Sequence, residues 1–174
     1  MQLASYNKYY SEWFADPKLE QQMQDAVTLL RTGDVKRIYF IGNGGSNSIC
    51  SHMMEDYAKI GRFRTHAFSD ASLITCYAND YGYDRAMAEW LKLHFEPGDL
   101  LVAISSSGES KNILNAVAQA RELGGRVISL SGFAPDNTLS KTGDINFVTP
   151  VRNYGIVECF HQTILHIILD SLHD

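Results

Sequence analysis

The chain has 174 residues, 45% hydrophobic and 20% charged, the size and composition of one globular domain with room for a sizeable core. Its net charge of −5 and pI near 5.6, without a basic block, argue against nucleic acid as a main partner. No apolar run approaches the roughly 20 residues that cross a bilayer, and the polar N-terminus lacks a signal-peptide core, so the sequence predicts a cytoplasmic protein with no membrane partner. Cys50, Cys76 and Cys159 are odd in number and far apart, fit neither a disulfide framework nor a CxxC pair, and read as small buried residues.

In chain order, residues 3–14 carry Leu3, Tyr6, Tyr10, Trp13 and Phe14 and predict an amphipathic helix broken near Pro17. A second helix is expected from about Leu19 to Leu30, stopping at Gly33. With no strand before them, these helices have no obvious sheet face of their own. Packing on a partner subunit and ordinary core burial both remain open for their aromatic stripe.

Arg37–Ile41 reads as the first strand, running into Gly42-Asn43-Gly44-Gly45-Ser46 ahead of a helix over about Asn47–Ile60. Glycines there let the backbone approach a ligand. A dinucleotide fold would need glycine at position 47, where Asn47 stands, and an acidic residue earlier than Asp70; a nucleotide triphosphate loop of the GxxxxGK[ST] type is absent. On the following helix His52 and Asp56 are four apart and share a face, as metal ligands or a proton-transfer pair would, with Glu55 a substitute for Asp56. A surface pair at this spacing is also commonplace.

Thr65–Phe68 predicts a short strand, Ala71–Ala78 a helix, Asn79-Asp80-Tyr81-Gly82 a polar turn, and Asp84–His94 another helix. Leu100–Ile104 then has no polar interruption, the pattern of a parallel strand covered on both faces. It runs into Ser105-Ser106-Ser107-Gly108-Glu109-Ser110 and a helical segment to Leu123 with Ile113, Leu114, Val117, Ala118 and Ala120 on one side. A hydroxyl-rich turn at a helix amino end attracts anions, because the first N–H groups are unpaired and the macrodipole is positive there. One serine would suffice as a helix cap. Four serines within residues 105–110 exceed that need and favour a phosphate.

Arg126–Leu130 and Ile145–Val148 complete the strands, with Ser131-Gly132 expected as a turn. A closing helix over about Tyr154–Leu172 carries Glu158, Gln162 and His166 in one polar row on an otherwise apolar surface. Residues 153–174 contain no Lys or Arg, so this row is predicted to face a subunit contact or a site rather than bulk water.

These blocks together resemble the sugar isomerase (SIS) domain family, and within it the phosphoheptose isomerases, which convert sedoheptulose 7-phosphate to glycero-manno-heptose 7-phosphate. The carriers are Gly42-Asn43-Gly44-Gly45-Ser46, His52-x-x-Glu55-Asp56, Ser69-Asp70, Asn79-Asp80-Tyr81-Gly82, the serine loop, and Glu158-x-x-His161 with His166. The resemblance spans nearly the whole chain. It implies an α/β, three-layer, flavodoxin-like single SIS domain over residues 1–174, with a five-stranded parallel sheet flanked by helices. It also implies a homotetramer in which the N-terminal helices, about 3–32, pack.

By the same resemblance Ser105, Ser106, Ser107 and Ser110 would hold a sugar phosphate, and Asn43, Gly44, Gly45, Asn79, Asp80 and Glu158 would line the rest of the substrate. His52, Asp56, Glu158 and His166 would be the metal ligands, with zinc as a cofactor, one per active site, and Asp56 and His166 the catalytic pair. Asp56 is one methylene shorter than the family's usual Glu, and Glu158 places a charge where a neutral amide is usual. Glu158 and His166 lie about 12 Å apart along a helix axis, so both must lean inward to share an ion. Against an aldose–ketose isomerase acting through an enediolate stand a non-catalytic sugar-phosphate-binding regulator or scaffold, and an isomerase for another sugar phosphate.

Overall fold

The computed structural model describes residues 2–32 and 35–173; the helix stop expected at Gly33 lies outside them. Five parallel strands, β1 (Arg37–Ile41), β2 (Arg64–Ala67), β3 (Leu100–Ser105), β4 (Arg126–Gly132) and β5 (Ile145–Thr149), stand in the order β2-β1-β3-β4-β5. The helices are α1 (Leu3–Phe14), α2 (Pro17–Arg31), α3 (Gly45–Lys59), α4 (Ala71–Tyr81), α5 (Tyr83–His94), α6 (Lys111–Glu122) and α7 (Tyr154–Asp170). This is the flavodoxin-like strand order expected. Its chain direction across the sheet reverses between β1 and β3, which opens a crevice beyond their carboxyl ends.

Alternation along the strands assigns the two cores. Ile38 and Phe40 of β1 and Leu100, Val102 and Ile104 of β3 face α2, α3 and α7, whereas Tyr39 and Ile41, with Leu101 and Ala103, face α5 and α6. Every residue of β3 is buried, in keeping with its unbroken apolar run. Each such Leu or Ile contributes about 1.5–3 kcal/mol by leaving water. At the opposite end of the sheet the Arg37 guanidinium meets the buried Asp99 carboxylate, Nε to Oδ1 at 3.1 Å and Nη2 to Oδ2 at 3.0 Å, and so ties the start of β1 to that of β3.

Several expected boundaries shift, each for a local reason. Helix α4 continues through Asn79 and Asp80, so these are helical rather than a turn: the stop is Gly82, at φ +77°, whose N–H closes on Ala78 O. Ser131 and Gly132 belong to β4, because β5 offers Val148 and Thr149 as partners. Cys50 is buried as expected, but Cys76 and Cys159 are exposed on α4 and α7. The N-terminal helices find partners within the chain, α2 burying Ala26, Leu29 and Leu30 and packing on α7 and β5. Trp13 of α1 lies on Phe160 with ring centroids 4.3 Å apart, while Leu3 remains 69% exposed.

His161 is wholly buried on α7, its Nε2–H donating to Ser131 O at 2.9 Å, and Nδ1 has no partner among the described residues. Burial pushes its pKa down from 6.5 to about 4. The native imidazole therefore stays neutral where the unfolded chain already binds a proton, so its contribution is whole above pH 6.5 and is lost as pH falls toward 4. The full loss is about 3 kcal/mol. Urea unfolding at several pH values should show the His161→Gln protein, which keeps a donor to Ser131 O but does not titrate, losing less stability than the parent across this window. Equal losses would place the acid sensitivity elsewhere.

Candidate active site

Two turns meet at the crevice: 42–46 leads from β1 into α3, and 105–110 leads from β3 into α6. Between them is a cleft of about 130 Å³ lined by Asn43, Ser46, Ser105, Ser106, Ser107, Ser110, Tyr154 and Glu158, with Ile104 at its base. It is smaller than the roughly 300–1,000 Å³ of pockets that enclose a whole organic ligand. That suits one charged end group with the remainder extending outward.

The serine hydroxyls are not spent on capping. Ser110 occupies the N-cap position of α6, yet its side chain makes no cap bond and instead accepts from Ser105 Oγ at 3.1 Å. Ser106 Oγ is buried in a residue only 6% exposed and has no partner. A hydroxyl in that state is costly unless a ligand completes it. The amino end of α6 thus offers an anion the N–H groups of its first turn and the unpartnered Ser106 hydroxyl.

The amino end of α3 differs. The Glu158 carboxylate lies over Gly45, where a Cβ would stand 2.5 Å from Oε2 and 2.6 Å from Oε1. Glu158 thereby supplies α3 with its own anion, leaving the α6 end for an external one. Glu109, inside the serine loop, is turned away: Thr138 donates to it through N at 2.7 Å and Oγ1 at 2.8 Å, holding its carboxyl below the usual range. Leu139 N also donates to Gly108 O at 3.0 Å, so the loop is anchored from the 133–140 segment.

Farther along α3 and α7, His52, Asp56 and His166 come together, their ligand atoms all within 4.8 Å of one another. His52 Nε2 is 3.1 Å and His166 Nδ1 4.0 Å from the same carboxylate oxygen, Asp56 Oδ2, and the two imidazole centroids are 5.3 Å apart. Two imidazoles and one carboxylate form a donor set that could hold a metal with an open position. Glu158 is not gathered with these three; Gln162, one turn nearer His166, stands between and meets His52 Nδ1 through Nε2 at 2.8 Å. Its amide can serve either tautomer of His52, so the contact holds the ring in place without fixing which nitrogen carries the proton.

The structure therefore brings Asn43, Ser105, Ser106, Ser107, Ser110 and Glu158 to one pocket, beside Gly45, and His52, Asp56 and His166 to one cluster on the same pair of helices. Asn79 and Asp80 do not line this pocket; on exposed α4 the Asn79 amide donates to Asp80 Oδ1 at 2.9 Å. Sequence reasoning passed over Ser46, Tyr154 and Gln162 as site residues. For Gln162 the signal was present, since it lies on the polar row of the last helix. No helix among the described residues is long and apolar enough to cross a membrane.

Comparison with known proteins identifies the fold and its family. Residues 14–132 match the family model of the SIS domain. A phosphoheptose isomerase of Fusobacterium nucleatum subsp. nucleatum is 32% identical over 172 residues, covering 95% of this chain and 86% of that protein. Among solved structures, phosphoheptose isomerase GmhA from Neisseria gonorrhoeae superposes with a TM-score of 0.86 at 26% identity, over 99% of this chain and 95% of its own. A phosphoheptose isomerase from Francisella tularensis gives 0.83 at 27%, over 98% and 93%.

Proposed function

The chain belongs to the SIS domain family, and from that membership and its similarity to phosphoheptose isomerases we propose that it is a sugar-phosphate aldose–ketose isomerase acting on sedoheptulose 7-phosphate. The observation that carries this reading is the shared use of two helices. Helix α3 brings Ser46 to the anion pocket and His52 and Asp56 to the cluster, while α7 brings Glu158 to the first and His166 to the second. Ser46 and His52 are six residues apart, roughly 9 Å along the axis. An extended sugar with a terminal phosphate fits such a spacing, its phosphate on the serine loop and its carbonyl end toward Asp56.

In this reading Asp56 removes the proton from the carbon beside the carbonyl and returns it to the neighbouring carbon of the enediolate, while His166 moves the proton between the two oxygens. Because both histidines meet Asp56 through Oδ2, Oδ1 is the oxygen available to the substrate. His52, Asp56 and His166 would hold a zinc ion, one per site, which supplies polarisation of the carbonyl when bound. Glu158, expected as a fourth ligand, is assigned here to the substrate side of the pocket. The protein is proposed to work as a homotetramer, with the exposed apolar side chains of α1 in a subunit contact; Leu3 and Phe14 support this.

The test is turnover of a panel of five-, six- and seven-carbon sugar phosphates by the purified protein, with and without prior chelation. Fastest turnover of sedoheptulose 7-phosphate, reduced after chelation, is the expected result. A preference for arabinose 5-phosphate or a hexulose phosphate would reassign the substrate, and binding without turnover of any would make the protein a regulator or scaffold.

A further inference from the structure

Asn112 is the polar exception on the buried face of α6, 3% exposed in a row with Ile113, Ala116, Val117 and Ala120. A buried amide must be paired to be tolerated. Its partner is Asn43: Asn43 Nδ2 donates to Asn112 Oδ1 at 3.0 Å and Asn112 Nδ2 donates to Asn43 Oδ1 at 2.8 Å. Such a reciprocal pair keeps its bonds if both amides turn over together, so alone it sets no direction. Met87 sets one. Its buried thioether can only accept, and it lies 3.7 Å from Asn112 Nδ2.

With the Asn112 NH2 committed to Met87 and Asn43, Asn43 must present Oδ1 to it, and the Tyr83 hydroxyl donates to that oxygen at 2.8 Å. Both acceptor sites of Asn43 Oδ1 are then used, and one of its two Nδ2 hydrogens. One N–H is left, at a residue that lines the anion pocket.

We propose that Asn112 is a positioning residue which, with Tyr83, holds Asn43 as a one-way hydrogen-bond donor to an oxygen of the substrate's sugar portion. This rests on the sugar-phosphate reading of the pocket. A pocket that offers only a donor at this point selects an acceptor there, and the network fixes that choice before the substrate arrives.

The test is a double-mutant cycle read as calorimetric Kd for sedoheptulose 7-phosphate and for inorganic phosphate, together with kcat and KM. Asn112→Leu, a neutral side chain of similar shape, removes both bonds to the Asn43 amide and frees it to turn over, without placing a charge beside the phosphate seat. Its sugar-phosphate Kd and kcat/KM should worsen about tenfold, the scale of one lost neutral hydrogen bond. Inorganic phosphate, held by the serine loop, should bind unchanged. In an Asn43→Ala background the same substitution should have little further effect on the sugar phosphate.

Equal losses in both backgrounds, a matching loss for inorganic phosphate, or no loss at all would overturn the proposal. Tyr83→Phe, at a residue 50% exposed, keeps the test open should Asn112→Leu not fold. It should weaken sugar-phosphate binding only while Asn43 is present, and an unchanged Kd would overturn the proposal equally. A parent protein that binds sedoheptulose 7-phosphate without isomerising it would instead sink the isomerase reading and leave the cycle readable in Kd.

Discussion

Asp56→Asn is expected to lower kcat by about 10²–10⁴-fold, the usual worth of one positioned acid–base group, while inorganic phosphate still binds. The substitution preserves the shape of a side chain that is largely enclosed, 19% exposed, between two imidazoles. It removes the charge that accepts a proton, and an amide cannot replace that. Phosphate binding should survive because the serine loop belongs to β3 and α6 and shares no side chain with the His52–Asp56–His166 cluster.

A carboxylate that merely positioned His52 would give a different pattern. Asp56→Glu restores a proton acceptor at slightly longer reach and should recover most of the loss. Incorporation of solvent deuterium at the carbon beside the carbonyl should fall in parallel with kcat in the Asn variant. Activity within tenfold of the parent, or deuterium exchange that continues while turnover stops, would take the carbon proton transfer away from Asp56.

The sheet was legible because each strand is a short apolar run bounded by turn residues. The serine loop was legible because hydroxyls cluster where a strand ends and a helix begins. What sequence could not supply is distance between segments. Asn112 looks like an ordinary polar residue near a helix start, and its role depends on an amide 69 positions earlier. Glu158 and His166 share a polar row, yet the packing of α7 on α3 sends Glu158 to Gly45 and His166 to Asp56, with Gln162 bridging to His52. His161 stands in the same short stretch and is instead a core residue. Asn79 and Asp80 read as a turn because polar residues before a glycine look alike whether a helix has ended or has one turn left.

Gly108→Ala should remove most phosphate affinity, and the reason lies in the 133–140 segment rather than in the ligand. Gly108 has φ +69°, and a Cβ there would overlap the side-chain amide of Asn137. Asn137 cannot yield easily: its Nδ2 donates to Ser131 Oγ, Gly132 O and Ala134 O at 3.1, 3.1 and 2.7 Å, and its Oδ1 accepts from Ser140 N at 2.9 Å. Either those buried bonds break, at about 1–3 kcal/mol for each group left unsatisfied, or the serine loop moves off the amino end of α6.

Left-handed backbone adds about 1–2 kcal/mol for any residue with a Cβ. The Gly124→Ala protein isolates that second cost, since Gly124 has φ +76° but a Cβ there would meet nothing closer than Pro97 at 3.6 Å. In thermal unfolding both variants should lose a few degrees, at roughly 2–4 °C per kcal/mol for a chain of this size, with Gly108→Ala losing more. In phosphate titration only Gly108→Ala should weaken, by tenfold or more, about 1.4 kcal/mol. A Gly108→Ala protein that binds phosphate like the parent would show that the loop's tight approach to Asn137 is dispensable, and with it the assignment of the α6 amino end as the phosphate seat.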